Sequence, residues 1–139
     1  MRRGDAILFV LLSAAMLAVP AAAEQRLQCP PELSAGIRAP FERVGDMPVQ
    51  PAAFETLNIV EGNPGAEAVA APSALVPDVF RYRGVGTLSS WDIARPVDSP
   101  MSMVCSYRDT RAYLRAAIPA SMTYCELTRA ADRNAGFCR

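Results

Sequence analysis

The chain has 139 residues, with 14 Lys+Arg against 14 Asp+Glu and no histidine, so its formal net charge at neutral pH is zero. Every basic residue is arginine. A balanced charge supplies no basic stripe for nucleic acid or an anionic membrane, and without histidine neither a histidine triad nor a histidine zinc site can be assembled.

In chain order, Met1-Arg2-Arg3 precedes an apolar run from Ala6 to Val19 and the small residues Ala21-Ala22-Ala23. A charged start, a short apolar middle and small residues at a cleavage position describe a secretory signal, cut between Ala23 and Glu24. The run falls short of the roughly 20 apolar residues of a membrane span, and no later stretch reaches that length. Cys29 stands several residues beyond the cut, whereas a lipid anchor needs a cysteine at it. The expected product is an exported, periplasmic protein of residues 24–139, one β-rich domain with no membrane span in the mature chain.

After Cys29-Pro30-Pro31, alternation of Leu33, Ala35 and Ile37 predicts a first strand, and Pro40, Pro48 and Pro51 predict loop from Arg38 to Ala53. Phe54 to Glu61 reads as a strand with Leu57 and Ile59 on one face and Asn58 and Val60 on the other. Gly62-Asn63-Pro64-Gly65 ends it in a turn. Ala66 to Pro77 reads as a crossing loop with one helical turn at Ala66 to Ala70. Val79 to Val85 predicts a short strand with Val79, Arg81 and Arg83 opposite Phe80, Tyr82 and Gly84. Gly84 and Gly86 then loosen the chain before Trp91, a large apolar surface expected in the core.

From Met101 to Thr128 the pattern is densest. Met101, Met103, Cys105 and Tyr107 share one side of an extended chain, the core face of a half-buried strand, with Ser102, Val104 and Ser106 opposite. Arg108-Asp109 supplies a turn, and Ala112, Leu114, Ala116 and Ile118 alternate against Arg111, Tyr113, Arg115 and Ala117. The rival is a helix over Thr110 to Ala117, since Asp109 or Thr110 can cap it; eight residues make a marginal helix, which favours the strand. Pro119 breaks the run. Met122 to Thr128 then alternates with Thr123, Cys125 and Leu127 on one face. The expected fold is mainly β, or α+β with a minor helix: a small antiparallel sheet or sandwich stapled by two disulfides.

Cys29, Cys105, Cys125 and Cys138 all lie beyond the signal and bound for an oxidising compartment, so two disulfides are expected. Their spacing contains no Cys-x-x-Cys pair for a metal. Three pairings are open. In a meander, Cys105 and Cys125 would flank the middle strand, about 10 Å apart across two strand spacings, which is beyond a disulfide's span. Two pairings remain, of which Cys29 with Cys105 and Cys125 with Cys138 is favoured over Cys29 with Cys125 and Cys105 with Cys138.

Cys29-Pro30, the run Leu57 to Pro64, Leu75-x-Pro77-Asp78, Trp91, Cys105-x-Tyr107, Ile118-Pro119 and Cys125, in that order, resemble an uncharacterised family of small exported proteobacterial proteins of unknown function. The resemblance implies a periplasmic location and a β-rich fold, and it carries no catalytic residues.

Candidate chemistry is sparse. Asp92, Asp98 and Asp109 fall at strand ends or turns and could in principle form a paired-carboxylate site of glycosidase type, but solvated turn residues are the better account of them. Ser89, Ser90 and Ser102 have no recognisable base. Arg111, Tyr113 and Arg115 share a strand face and could grip a carboxylate or an acidic patch on a partner, although a solvated outer face is the simpler account; Tyr107 and Tyr124 read as sheet residues with hydroxyls at the rim. No catalytic, cofactor or metal residue is assigned. The expected role is a non-enzymatic binding protein whose partner is another exported or envelope protein, with a carboxylate-based cell-wall or glycan hydrolase and a structural envelope protein as alternatives.

Overall fold

The alternating runs become strands that close over one another. The structure, a computed structural model, describes residues 25–62 and 74–139; the expected signal, the turn from Asn63 onward and the helical turn at Ala66 to Ala70 lie outside the described residues. Ten strands are described: β1 Leu27–Gln28, β2 Glu32–Leu33, β3 Glu42–Val44, β4 Ala52–Glu61, β5 Val79–Arg83, β6 Gly86–Asp92, β7 Met101–Tyr107, β8 Tyr113–Ala117, β9 Tyr124–Arg129 and β10 Asn134–Cys138. They form two antiparallel sheets, ordered β1-β10-β9-β6-β5 and β2-β4-β7-β8-β3. Among the described residues there is no helix, so none is long and apolar enough to cross a membrane. The segment at Thr110 to Ala117 is strand from Tyr113 onward, which leaves the mainly β expectation standing and its helical rival without support.

The two sheets bury one shared core. Leu57, Ile59, Met103, Cys105 and Leu114 from one sheet join Trp91, Cys125, Leu127 and Cys138 from the other. Gly136 of β10 faces Leu57 and Phe54 of β4 across the core, where a Cβ would lie 3.1 Å from both side chains, so a larger residue there would have to displace them slightly. The predicted phases hold: Ala112, Leu114, Ala116 and Ile118 are all buried, as are Leu57 and Ile59. Strand β7 departs from the half-buried expectation. It is the middle strand of its sheet, and Ser102 and Val104 on its outward face are as buried as Met103 on the inward one. Val60, Val104 and Tyr113 form a second, smaller cluster there, with Val44 packed on it.

Several elements differ from expectation. The alternation of Leu33, Ala35 and Ile37 yields only a two-residue strand, because Ala35-Gly36 turn the chain. The proline-rich stretch after Arg38 contains β3, which pairs with β8. Gly84 does not loosen the chain; it takes φ +59° in a two-residue turn, the conformation that a type II′ hairpin requires and that glycine adopts without strain. Arg83 pairs with Gly86 across that turn, and β6 follows. Strand β10 pairs with β9 so that Cys138 stands directly opposite Cys125.

Candidate partner-binding surface

Both disulfides form in the favoured pairing, Cys29–Cys105 and Cys125–Cys138. The reason differs from the one anticipated: there is no meander, because after β8 the chain crosses to the other sheet and β9 pairs with β6 and β10. Cys29–Cys105 ties the start of the described chain to β7, and Tyr107 reinforces the tie by donating its hydroxyl to the Pro30 carbonyl at 2.9 Å. Tyr107 is thus a core residue and not a rim one, only 2% exposed. Burial disfavours its phenolate and pushes its pKa well above the ordinary 10.0. Trp91 is buried beside Cys125, and its indole N–H donates to the Leu75 carbonyl at 3.1 Å.

The candidate arginine face has three different environments. Arg111 is exposed; Tyr113 is buried in the outward cluster; Arg115 lies against Glu42 of β3 at 2.9 Å. Burial raises the Tyr113 pKa, opposed by the nearby Arg115 charge. The three aspartates stand apart in sequence, Asp92 at the end of β6 and the other two in separate turns. The Asp92 carboxylate accepts from the Ala94 N–H, while the Asp92 backbone N–H donates to Asp78. Asp98 is exposed in the loop before β7, and Asp109 takes φ +56° in the β7–β8 turn. Among the described residues, no group of three or more acidic or cysteine side chains is placed to hold a metal ion. Tyr124 gives its hydroxyl to Glu126 at 2.6 Å, and Thr128 donates to the same carboxylate; that bond and burial raise the Tyr124 pKa.

One surface stands out that the candidate residues did not include. Three of the four sheet edges are strands of two or three residues, β1, β2 and β3. The fourth is β5, five residues long, which among the described residues pairs only with β6. Directly paired residues share a face, so pairing with Ser89 and Thr87 puts Phe80 and Tyr82 on the side where Trp91 enters the core, and pairing with Leu88 puts Arg81 on the other. Yet β5 overhangs: Phe80 is 56% and Tyr82 81% exposed. Their rings pack edge to face, 5.4 Å between centroids, and Val85 in the adjoining turn is also exposed. The signal for this surface was present as an aromatic pair alternating with two arginines, but alternation reports two faces and not which of them the rest of the chain covers.

Fold and surface together define a disulfide-stapled two-sheet β protein with a long, aromatic-bearing edge. Residues 49–138 match the family described as type VI secretion system Tli immunity protein, and the chain belongs to that family. The matched segment runs from just before β4 to the end of β10, so β5 is the edge strand that lies within it. No curated protein and no solved structure matches the chain.

Proposed function

We propose that the mature chain, residues 24–139, is a periplasmic immunity protein that binds an effector delivered by a type VI secretion system and blocks its toxicity. The observation that carries this reading is the family match over residues 49–138. It agrees with the non-enzymatic binding role read from the sequence and with two disulfides that suit an oxidising compartment. The signal at residues 1–23 would take the chain to where such an effector arrives. Two surfaces are candidates for contact: the β8 face with Arg111, Tyr113 and Arg115, and the β5 edge.

The test is a co-culture. Cells expressing the full chain are expected to survive an attacker that fires the cognate effector, whereas cells expressing a chain without residues 2–23 are expected to die, because the protein stays in the cytoplasm. Equal killing with and without the full chain overturns the immunity reading. Turnover of a cell-wall or glycan substrate by purified protein, lost in Asp92→Asn or Asp109→Asn, would instead establish the hydrolase alternative.

A further inference from the structure

Edge strands are hazards that folds usually blunt by shortness, charge or cover. Shortness blunts β1, β2 and β3. Strand β5 is different, with five residues of edge and an aromatic pair beside it that neither sheet covers. Arginines alone would serve as guards; guarding does not call for Phe80 and Tyr82 exposed next to each other, since apolar groups grouped at an edge favour association.

The charges on β5 say what it accepts. Arg81 and Arg83 are exposed and have no ion-pair partner among the described residues. The carboxylate of Glu126, on the same outward face, is occupied by Tyr124 and Thr128. A second copy pairing antiparallel along β5 would bring Arg81 and Arg83 beside their own counterparts, and like charges opposite one another destabilise a strand pair. The edge therefore repels itself and favours a strand with carboxylates on one face and apolar side chains on the other.

We propose that β5 is the effector-docking edge: an extended segment of the effector adds to it as a further strand, its carboxylates facing Arg81 and Arg83 and its apolar side chains packing on Phe80 and Tyr82. This deepens the immunity reading and rests on it. Backbone hydrogen bonds along the edge would supply affinity, and the two faces would supply specificity and register.

The probe is a synthetic heptapeptide alternating glutamate and valine, its binding to the full mature protein followed by fluorescence anisotropy and amide hydrogen exchange. Binding is expected to slow exchange at residues 79–83, to weaken with added salt, and to fall at least tenfold in the Arg81→Glu/Arg83→Glu double variant. That variant should regain binding for a heptapeptide alternating lysine and valine, which a merely unfolded protein could not do. No binding, equal binding to the double variant, or protection at another edge overturns the proposal, as does a β5-dependent dimer in sedimentation. An effector that the wild-type chain neutralises and that the double variant neutralises equally well removes the docking site while leaving the immunity reading intact. Heptapeptide binding at β5 by a chain that protects no cell removes the immunity reading instead.

Discussion

At the scale of single residues, Tyr107 shows how one side chain joins distant parts of the chain. It lies two positions after Cys105, and both residues hold the Cys29-Pro30 segment, one through a disulfide and the other through a hydrogen bond to a carbonyl. Removing the hydroxyl in Tyr107→Phe leaves the Pro30 carbonyl without this donor and is expected to cost about 1 kcal/mol at pH 7. The pH dependence has a definite sign. Because the folded-state pKa is raised, the folded chain keeps the phenol proton after the unfolded chain has lost it, so this contribution is fully present below pH 10.0 and declines as pH rises above it. The stability gap between wild type and Tyr107→Phe should therefore shrink by about 1 kcal/mol by pH 11. Urea unfolding at pH 8 and pH 11 measures it, and a gap that stays constant would show that the phenol is not shielded. Arg95 is a second residue of this kind. Its guanidinium donates to the carbonyls of Ser99, Ile93 and Ile118, which ties the loop before β7 to the end of β8.

Between elements, register leaves little freedom. Strands β6 and β9 pair along six consecutive positions, from Thr87 with Arg129 to Asp92 with Tyr124. At the start of that ladder Gly86 lies so close to β9 that a Cβ would run into the Arg129 carbonyl oxygen, a backbone atom that cannot swing aside. Gly86→Ala should push the strands apart at that end and destabilise by roughly 1–3 kcal/mol. Chemical denaturation tests this, and a loss below about 0.5 kcal/mol would mean that the hairpin end yields more easily than its packing suggests. By contrast, the Glu42–Arg115 pair joining β3 to β8 is solvent-facing, with the Glu42 side chain 66% exposed, and such a pair contributes roughly 0–1 kcal/mol. What holds β3 on its sheet is the ladder with β8 and the packing of Val44 on the outward cluster.

For the molecule as a whole, residues 25–48 act as a strap. Strand β1 extends one sheet, while β2 and β3 flank the other. The Cys29–Cys105 bridge anchors that strap across 76 residues of sequence, whereas Cys125–Cys138 closes only 13. Loop-closure entropy makes the longer bridge worth about 4.5 kcal/mol and the shorter about 3. Stability available to a domain of this size is roughly 5–15 kcal/mol. The Cys29→Ser/Cys105→Ser pair should accordingly melt lower than Cys125→Ser/Cys138→Ser. Differential scanning calorimetry of the two double variants tests the order, and the reverse order would place the strap outside the cooperative unit.

The favoured cysteine pairing rests on a meander that the chain does not form, but neighbouring residues alone specify the strand character of β4, β5, β7, β8 and β9 and the inward phase of Leu57, Ile59, Cys105 and Leu114. Those properties are local or nearly so, since a period of two and a polar turn are written into neighbouring residues. The tertiary structure alone decided the rest. That β9 leaves its neighbour β8 for the opposite sheet depends on which hydrophobic faces meet across the core, and no pattern within one strand carries that information. Tyr113 and Val104 became buried on an outward face because β3, β4 and β8 lie around them, although alternation had placed them towards solvent. Phe80 and Tyr82 followed the reverse course: they share the face of Trp91, yet their strand lies at an edge that the second sheet does not reach, so two aromatic rings remain exposed. Burial is settled by what stands opposite a residue, and it is this long-range fact that leaves the aromatic face of β5 open.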